Sequence, residues 1–561
     1  MFWLFACAYL LVGLQLFRVQ VVDQKRFGSI ARAQQEGDLE IPALRGDIRD
    51  RNNIVLATSL ALYSVAVNPR EVRDRAATAR ALSEHLHKSE AELERILASG
   101  ATFAWAERKV EDSVAEKVRE LKLPGVFLLK EPNGRRFYPK GRLGSHLLGA
   151  TGIDDQGLDG LEAAYDQSLG GRPGLARVFL DRDGYAMPDA ATLIRPVQEG
   201  RNVILTLDET IQYVAERELA KTVKESNAKG GICLVMDVKT GEMLAWAIAP
   251  DFPADKFSEV PPALRRNRAI TDPYEPGSTF KVFTVAAALQ NGVKPDDVFT
   301  SGGVLSIGGW TIHNANDGLD AAGVETVTSI LTYSFNVGTA SIALKIGRKA
   351  LGESLSAFGF GHPTGVDLVG ESEGIVNPYK GWADIDLATT SFGQSVAVTP
   401  IQLISGMQAI ANNGIRLRPH VVKAVVDGEG NIIKRIEPQE LGRPISPETA
   451  RQMRDILLNV CEKGTGKRAR IPGYLVGGKT GTAQVVDNGV YAGGRYTASF
   501  LGLAPVDNPR IVVLVKIEEP TPVYWGGVIA APVFHNVAKE ALWKLGVRPN
   551  QKIVEETAAL E

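Results

Sequence analysis

Three short motifs, in this order, carry residues that together can do chemistry: Ser278-Thr279-Phe280-Lys281, Ser334-Phe335-Asn336 and Lys479-Thr480-Gly481-Thr482. They supply a serine nucleophile, a nearby lysine base, a second hydroxyl for proton traffic, and a lysine–threonine strand able to hold a carboxylate. Acyl transfer through a serine ester, without histidine, uses this set of parts. Ser278, Lys281, Ser334 and Lys479 are therefore the candidate catalytic residues. Asn336, Thr480, Gly481 and Thr482 are the candidate substrate-binding residues.

Alone, none of the motifs is specific. Roughly two Ser-x-x-Lys matches are expected by chance in a chain this long, and a decoy stands at Ser226-Asn227-Ala228-Lys229, with a second Lys-Thr-Gly at Lys239-Thr240-Gly241. Ser226 lies in a polar stretch running into Gly230-Gly231, which reads as a solvated loop. Lys239 to Gly241 falls between two apolar runs, Ile232 to Met236 and Met243 to Ala249, and reads as a hairpin turn.

Ser278 has a different context. Pro276-Gly277 breaks the chain before it, and an apolar run to Leu289, stopped by Asn291-Gly292, predicts a buried helix. Free N–H groups and the positive dipole end at that helix start favour developing negative charge. Lys281, three residues on, returns to the same face. Taken alone, Ser278 reads equally as an N-cap beside an unrelated surface lysine. Ser334 and Asn336 fit a connection between two helices, or an ordinary capping turn. Lys479 to Thr482 fit a glycine-flanked edge strand, with Lys479 and Gly481 on one face and Thr480 and Thr482 on the other, or simply a tightly packed strand. The combination decides. Ser334 follows Ser278 by 56 residues and Lys479 follows Ser334 by 145, so all three motifs fit one large domain in the order the chemistry requires.

With these motifs the chain resembles the class B penicillin-binding proteins, monofunctional D,D-transpeptidases that cross-link peptidoglycan, and most of all their septal and sporulation branch. Arg45-Gly46-Asp47-Ile48-Arg49-Asp50-Arg51-Asn52 resembles the signature that follows the membrane anchor in that family, with Asn53 where glycine is usual. Asn tolerates a positive φ, so a tight turn is retained. His146-Leu147-Leu148-Gly149 and Gly157-Leu158-Asp159-Gly160-Leu161-Glu162 resemble the non-catalytic pedestal. Glu275 to Lys281 and Ser391-Phe392-Gly393-Gln394 resemble the catalytic domain.

The resemblance implies an α+β, multi-domain protein. It would have an N-terminal transmembrane helix, a mixed pedestal, and a transpeptidase domain of the penicillin-binding and serine β-lactamase type, with a central antiparallel sheet flanked by helices. Peptidoglycan stem peptides would be the substrates and β-lactams the covalent inhibitors. A membrane-embedded glycan polymerase of the shape, elongation, division and sporulation family, and other division proteins, would be the partners. The protein would sit in the bacterial cell membrane as a single-pass protein with its catalytic domain outside the cytoplasm. The N–H groups of Ser278 and Thr482 would form the oxyanion hole. An elongation-type transpeptidase, a D,D-carboxypeptidase or β-lactamase, and a non-catalytic scaffold or β-lactam sensor are the rivals.

Composition agrees with that frame. A chain of 561 residues is too long for one core. Charge is balanced, 63 basic against 65 acidic residues, which gives nucleic-acid binding no support. The 3 cysteines, Cys7, Cys233 and Cys461, and the 7 histidines show neither a disulfide framework nor metal-ligand spacing, so no metal or other cofactor is expected. Phe2 to Phe17 is almost continuously apolar and, with Val19 to Val22, reaches spanning length.

The expected organisation is an anchor over 1–22, a pedestal over 23–200 and a catalytic domain over 201–547. A polar tail follows over 548–561. Ala76 to Ala98 reads as one amphipathic helix, and Leu193 to Arg201 as a linker. Within the catalytic domain a helix follows Asp208, then a hairpin, a helical centre, three strands and a closing helix over about 532–545. Burial and the charge of Lys479 are expected to lower the Lys281 pKa, so that Lys281 takes the Ser278 proton. Ser334 would relay a proton to the departing amine.

Overall fold

One apolar helix opens the chain in the computed structural model, which describes residues 1–27, 36–180, 186–315, 323–487, 490–549 and 551. Phe2–Phe17 is α-helical and continues as a π-helical turn, Arg18–Val22. These 21 residues are long and apolar enough to cross a membrane, and none of that surface is buried by the rest of the protein. Most of the expected polar tail, 548–561, lies outside the described residues.

The remainder divides into two compact units. The first comprises 1–46, 59–135 and 167–201. Here the end of strand Val55–Val67 pairs with Ala104–Val110. Helices Arg75–Ser83, Glu90–Leu97 and Asp112–Glu120 pack Ala79, Leu82, Leu93, Leu97 and Val118 against Val65, Val67 and Ala106. The single helix expected over 76–98 is thus two helices. Ser89 starts the second: its hydroxyl accepts from Glu92 N while the Glu92 carboxylate accepts from Ser89 N, a capping box that fixes a new N-terminus. An antiparallel sheet of Glu36–Ile41, Gly174–Leu180 and Ala186–Arg195 completes the unit. The linker expected from Leu193 therefore begins only after Arg195, at Pro196, which has no N–H to continue a ladder.

The second unit comprises 47–58, 136–166 and 202–561. Two stretches from the expected pedestal segment, 47–58 and 136–166, therefore cluster with residues of the expected catalytic domain. Asp50 explains part of this. Fully buried, its carboxylate accepts from Asn52 N at 2.7 Å, Ile54 N at 2.8 Å and Glu209 N at 3.1 Å. Asn52 in turn donates to Asp208, the N-cap of helix Glu209–Glu225. Asn53, at φ 65°, makes the tight turn. Ile48–Arg49 then lies parallel to Asn202–Leu205.

The core of this unit is an antiparallel sheet in the order Met243–Ala249, Gly230–Asp237, Ile511–Glu518, Val490–Ala504, Gly477–Asp487. Cys233, Val235, Val513 and Val515 meet helices Glu209–Glu225 and Gly526–Lys544 on one face. Alternation sends Ile232, Leu234 and Met236 to the other face. They are equally buried there, and helix Pro400–Ala411, buried along all 12 residues, packs on the same strands. Helices Lys281–Gln290, Val327–Tyr333, Asn336–Ala357 and Pro447–Glu462 form the helical centre.

Both decoys are accounted for. Lys239 to Gly241 is the hairpin turn between Gly230–Asp237 and Met243–Ala249, pinned by Asp237 accepting from Lys239 N and Thr240 N. Ser226 is not in a solvated loop: it is buried at the end of helix Glu209–Glu225, its hydroxyl donating to Thr222 O at 2.7 Å.

Candidate active site

Ser278 sits in a 3-10 turn, Gly277–Thr279, that leads into helix Lys281–Gln290. The turn is shaped by its glycine. Gly277 has φ +54°, and its N–H donates to Gly393 O at 3.1 Å. A Cβ on Gly393 would lie 2.2 Å from Gly277 O, so only glycine fits behind the turn. Thr279 closes it by donating to Pro276 O at 2.8 Å. Residues Lys281 to Leu289 are all buried, which holds the helix start still. Ser278 itself is half-buried.

Lys281 is fully buried, yet its amino group is directed at the second motif. Its Nζ donates to Ser334 O at 2.6 Å and to Ser334 Oγ at 3.2 Å. Its place three residues after Ser278 keeps it on the same side of the helix start as Ser278. Ser334 connects helices Val327–Tyr333 and Asn336–Ala357 in the left-handed conformation, φ 66° and ψ 37°. A non-glycine residue there is strained by roughly 1–2 kcal/mol, and the strained turn presents both the carbonyl and the hydroxyl to Lys281. Asn336 Nδ2 donates to His313 O at 2.9 Å.

The third motif lies on the edge strand Gly477–Asp487, against the turn Gly277–Thr279. A Cβ on Gly481 would lie 2.4 Å from Ser499 Oγ, 2.9 Å from Thr279 Cγ2 and 3.2 Å from Pro276 O. A Cβ on Gly277 would likewise lie 2.9 Å from Ala483 Cβ. Gly481 is therefore what lets strand and turn touch. Simple alternation expected Lys479 and Thr480 on opposite faces. Instead the flexible Lys479 stem, fully buried, folds its ammonium back to donate to Thr480 O at 3.0 Å and Thr480 Oγ at 3.4 Å. Thr482 Oγ1 accepts from Gly526 N at 3.2 Å.

Three residues here went unread in the sequence. Thr465 lies 2.7 Å, hydroxyl to hydroxyl, from Thr480. Its only sequence signal is a hydroxyl between two glycines, Gly464 and Gly466. Ser499 pairs with Gly481 across the ladder, and Tyr491 stands beside Glu275. Burial pushes the Glu275 carboxyl above its ordinary range, against the pull of Ser395 N and Tyr491. Glu275 also lines a cavity of about 640 Å³ with Asp272, Tyr274, Gln484, Lys516 and Glu518. None of Ser278, Lys281, Ser334 and Lys479 belongs to its described walls. Among the described residues, no three His, Cys, Asp or Glu side chains are placed to hold a metal ion.

A family model described as penicillin binding protein transpeptidase domain matches residues 231–539, and one described as penicillin-binding protein dimerisation domain matches 40–205. The chain is 36% identical over 564 residues to stage V sporulation protein D of Bacillus subtilis, covering 98% of this chain and 85% of the relative. The chain belongs to the class B penicillin-binding proteins. This penicillin-binding protein is also 34% identical over 537 residues to the peptidoglycan D,D-transpeptidase FtsI of Escherichia coli, covering 92% and 87% of the two chains. Among solved structures it matches penicillin binding protein 2X from Streptococcus thermophilus with a TM-score of 0.75 at 27% identity, over 91% of this chain and 81% of the other. Penicillin binding protein 3 from Mycobacterium tuberculosis, complexed with aztreonam, matches with a TM-score of 0.71 at 29% identity, over 93% of this chain and all of that one.

Proposed function

We propose that this penicillin-binding protein is a peptidoglycan D,D-transpeptidase that works through an acyl-enzyme on Ser278. The observation that carries the reading is the buried Lys281, donating to Ser334 while standing one helical turn from Ser278. In the first half-reaction Lys281, as the neutral amine, takes the Ser278 hydroxyl proton. Oγ bonds to the penultimate D-alanine carbonyl of the donor stem peptide, with the N–H groups of Ser278 and Thr482 stabilising the oxyanion. The terminal C–N bond then breaks, and Ser334, with Lys479, passes a proton to the departing D-alanine amine. In the second half-reaction an amine of a neighbouring stem peptide attacks the ester. The new amide forms, and the Ser278 hydroxyl is restored.

Thr480, Thr482 and the Lys479 ammonium hold the terminal carboxylate, and Asn336 holds the peptide backbone. A β-lactam, a cyclic mimic of the donor, stops at the ester and inhibits covalently. Residues 201–547 are the catalytic domain in this reading, and 23–200 a non-catalytic pedestal. The helix 2–22 anchors the chain once in the cell membrane, with the catalytic domain on the outer side. There it serves septal wall synthesis beside a membrane-embedded glycan polymerase and other division proteins.

The test is turnover. Full-length protein given uncross-linked glycan strands from lipid II is expected to release one D-alanine per cross-link, and Ser278→Ala none. D-alanine release without cross-links would make it a carboxypeptidase, and cross-linking by Ser278→Ala would remove Ser278 from the chemistry.

A further inference from the structure

The Thr465–Thr480 contact joins two hydroxyls beside an ammonium. A hydroxyl has one proton to give and two lone pairs to fill. Lys479 can only donate, so Thr480 Oγ accepts from it at 3.4 Å. The 2.7 Å contact with Thr465 can then run either way. If Thr480 donates to Thr465, its single proton is no longer available to a ligand. If Thr465 donates, both Thr480 lone pairs are filled and the Thr480 proton must point away from Lys479 and Thr465. An ionised carboxylate accepts only, so its arrival selects the second arrangement.

Thr465 is held in place to do this. Its N–H reaches Thr332 O at 3.4 Å, and Gly466 N donates to Val460 O at 3.0 Å. A Cβ on Gly464 would lie 2.2 Å from Thr332 O, and one on Gly527 would lie 2.5 Å from Thr465 O. The loop that carries Thr465 therefore packs on backbone from two sides. One of them is the helix Val327–Tyr333 that ends at Ser334.

We propose that Thr465 is a positioning residue: by donating to Thr480 it fixes the Thr480 hydroxyl rotor, so that its proton points at the substrate carboxylate. This rests on the reading of Lys479-Thr480-Gly481-Thr482 as the carboxylate-holding strand.

The experiment compares full-length wild type, Thr465→Ser and Thr465→Val, with acylation followed by intact mass. Each is given benzylpenicillin and benzylpenicillin methyl ester, which keeps the ring but lacks the ionised carboxylate. Thr465→Val is expected to lower the acid-to-ester ratio of acylation rates by about tenfold, the scale of one hydrogen bond to a charged group. Thr465→Ser is expected to keep the ratio. An unchanged ratio in Thr465→Val, with both rates falling together or neither falling, overturns the positioning role and leaves Ser278 as nucleophile untouched. Wild type that forms no adduct with either compound overturns the nucleophile reading and this inference together.

Discussion

At Ser334, backbone strain and side-chain chemistry can be separated experimentally. The residue combines a left-handed backbone with a hydroxyl bonded to Lys281. Glycine relieves the first and removes the second. Ser334→Gly is expected to lower D-alanine release by about 100-fold or more, while the thermal midpoint holds or rises. Ser334→Ala is expected to lower both, because alanine keeps the strain and loses the hydroxyl bond. Equal turnover in wild type and Ser334→Gly would exclude the hydroxyl from proton transfer. Residue types and spacing singled out Ser278, Lys281, Ser334 and the Lys479 motif, and the structure brings Lys281 to Ser334 and Gly481 against the turn that carries Ser278. Thr465 was not legible, since its partner is reached only after the chain leaves helix Pro447–Glu462 and returns along the edge strand. The fold-back of Lys479 was also hidden. Alternation fixes where a Cβ points and leaves a four-carbon stem free.

Among the elements, the segment 136–166 holds two buried charged groups whose pairing can be measured. Arg136 and Glu162 form an ion pair of 2.6 Å with side chains 3% and 0% exposed. Glu162→Ala is expected to destabilise the fold by about 3–5 kcal/mol in urea unfolding, and adding Arg136→Met to recover most of that, because the cost is the buried Arg136 charge stripped of the Glu162 carboxylate. If the double variant is no better than the single, the loss comes from packing. On helix Glu209–Glu225, burial pushes the Glu216 carboxyl up to about 7, with Asp251 adding to the rise and bonds from Gly144 N and Gln212 opposing it.

A raised carboxylate pKa means the folded state keeps a proton that the unfolded state has lost between about 4.5 and 7. Stability from this group is therefore greatest below about 4.5 and is lost progressively as pH rises to 7, a fall of roughly 3 kcal/mol. Glu216→Gln, which keeps the acceptor for Gly144, is expected to flatten the decline in thermal midpoint between pH 5 and 8. An equal decline in both proteins would contradict it. The antiparallel sheet, its hairpin and the helix after Asp208 were legible from alternation, turn residues and a capping aspartate. The break between Arg75–Ser83 and Glu90–Leu97 was not. Apolar periodicity runs through it, and only the Ser89–Glu92 box ends it.

For the whole molecule, the resemblance carried more than local pattern could. Motif order implied one catalytic domain, and the family signatures implied a pedestal before it. Asp50 shows what local reading missed. Its carboxylate ties the turn after Ile48–Arg49 to the helix after Asp208, so contacts group 47–58 with a unit whose other residues lie far along the chain. Long-range hydrogen bonds of this kind leave no periodic trace. The central claim is that Ser278 forms an ester with the substrate, and intact-mass analysis of full-length protein exposed to benzylpenicillin tests it most directly. The account predicts one persistent adduct of the mass of benzylpenicillin, mapped to the peptide containing Ser278 and absent in Ser278→Ala. An adduct that survives in Ser278→Ala, or one that disappears within minutes as penicillin is consumed, would contradict it.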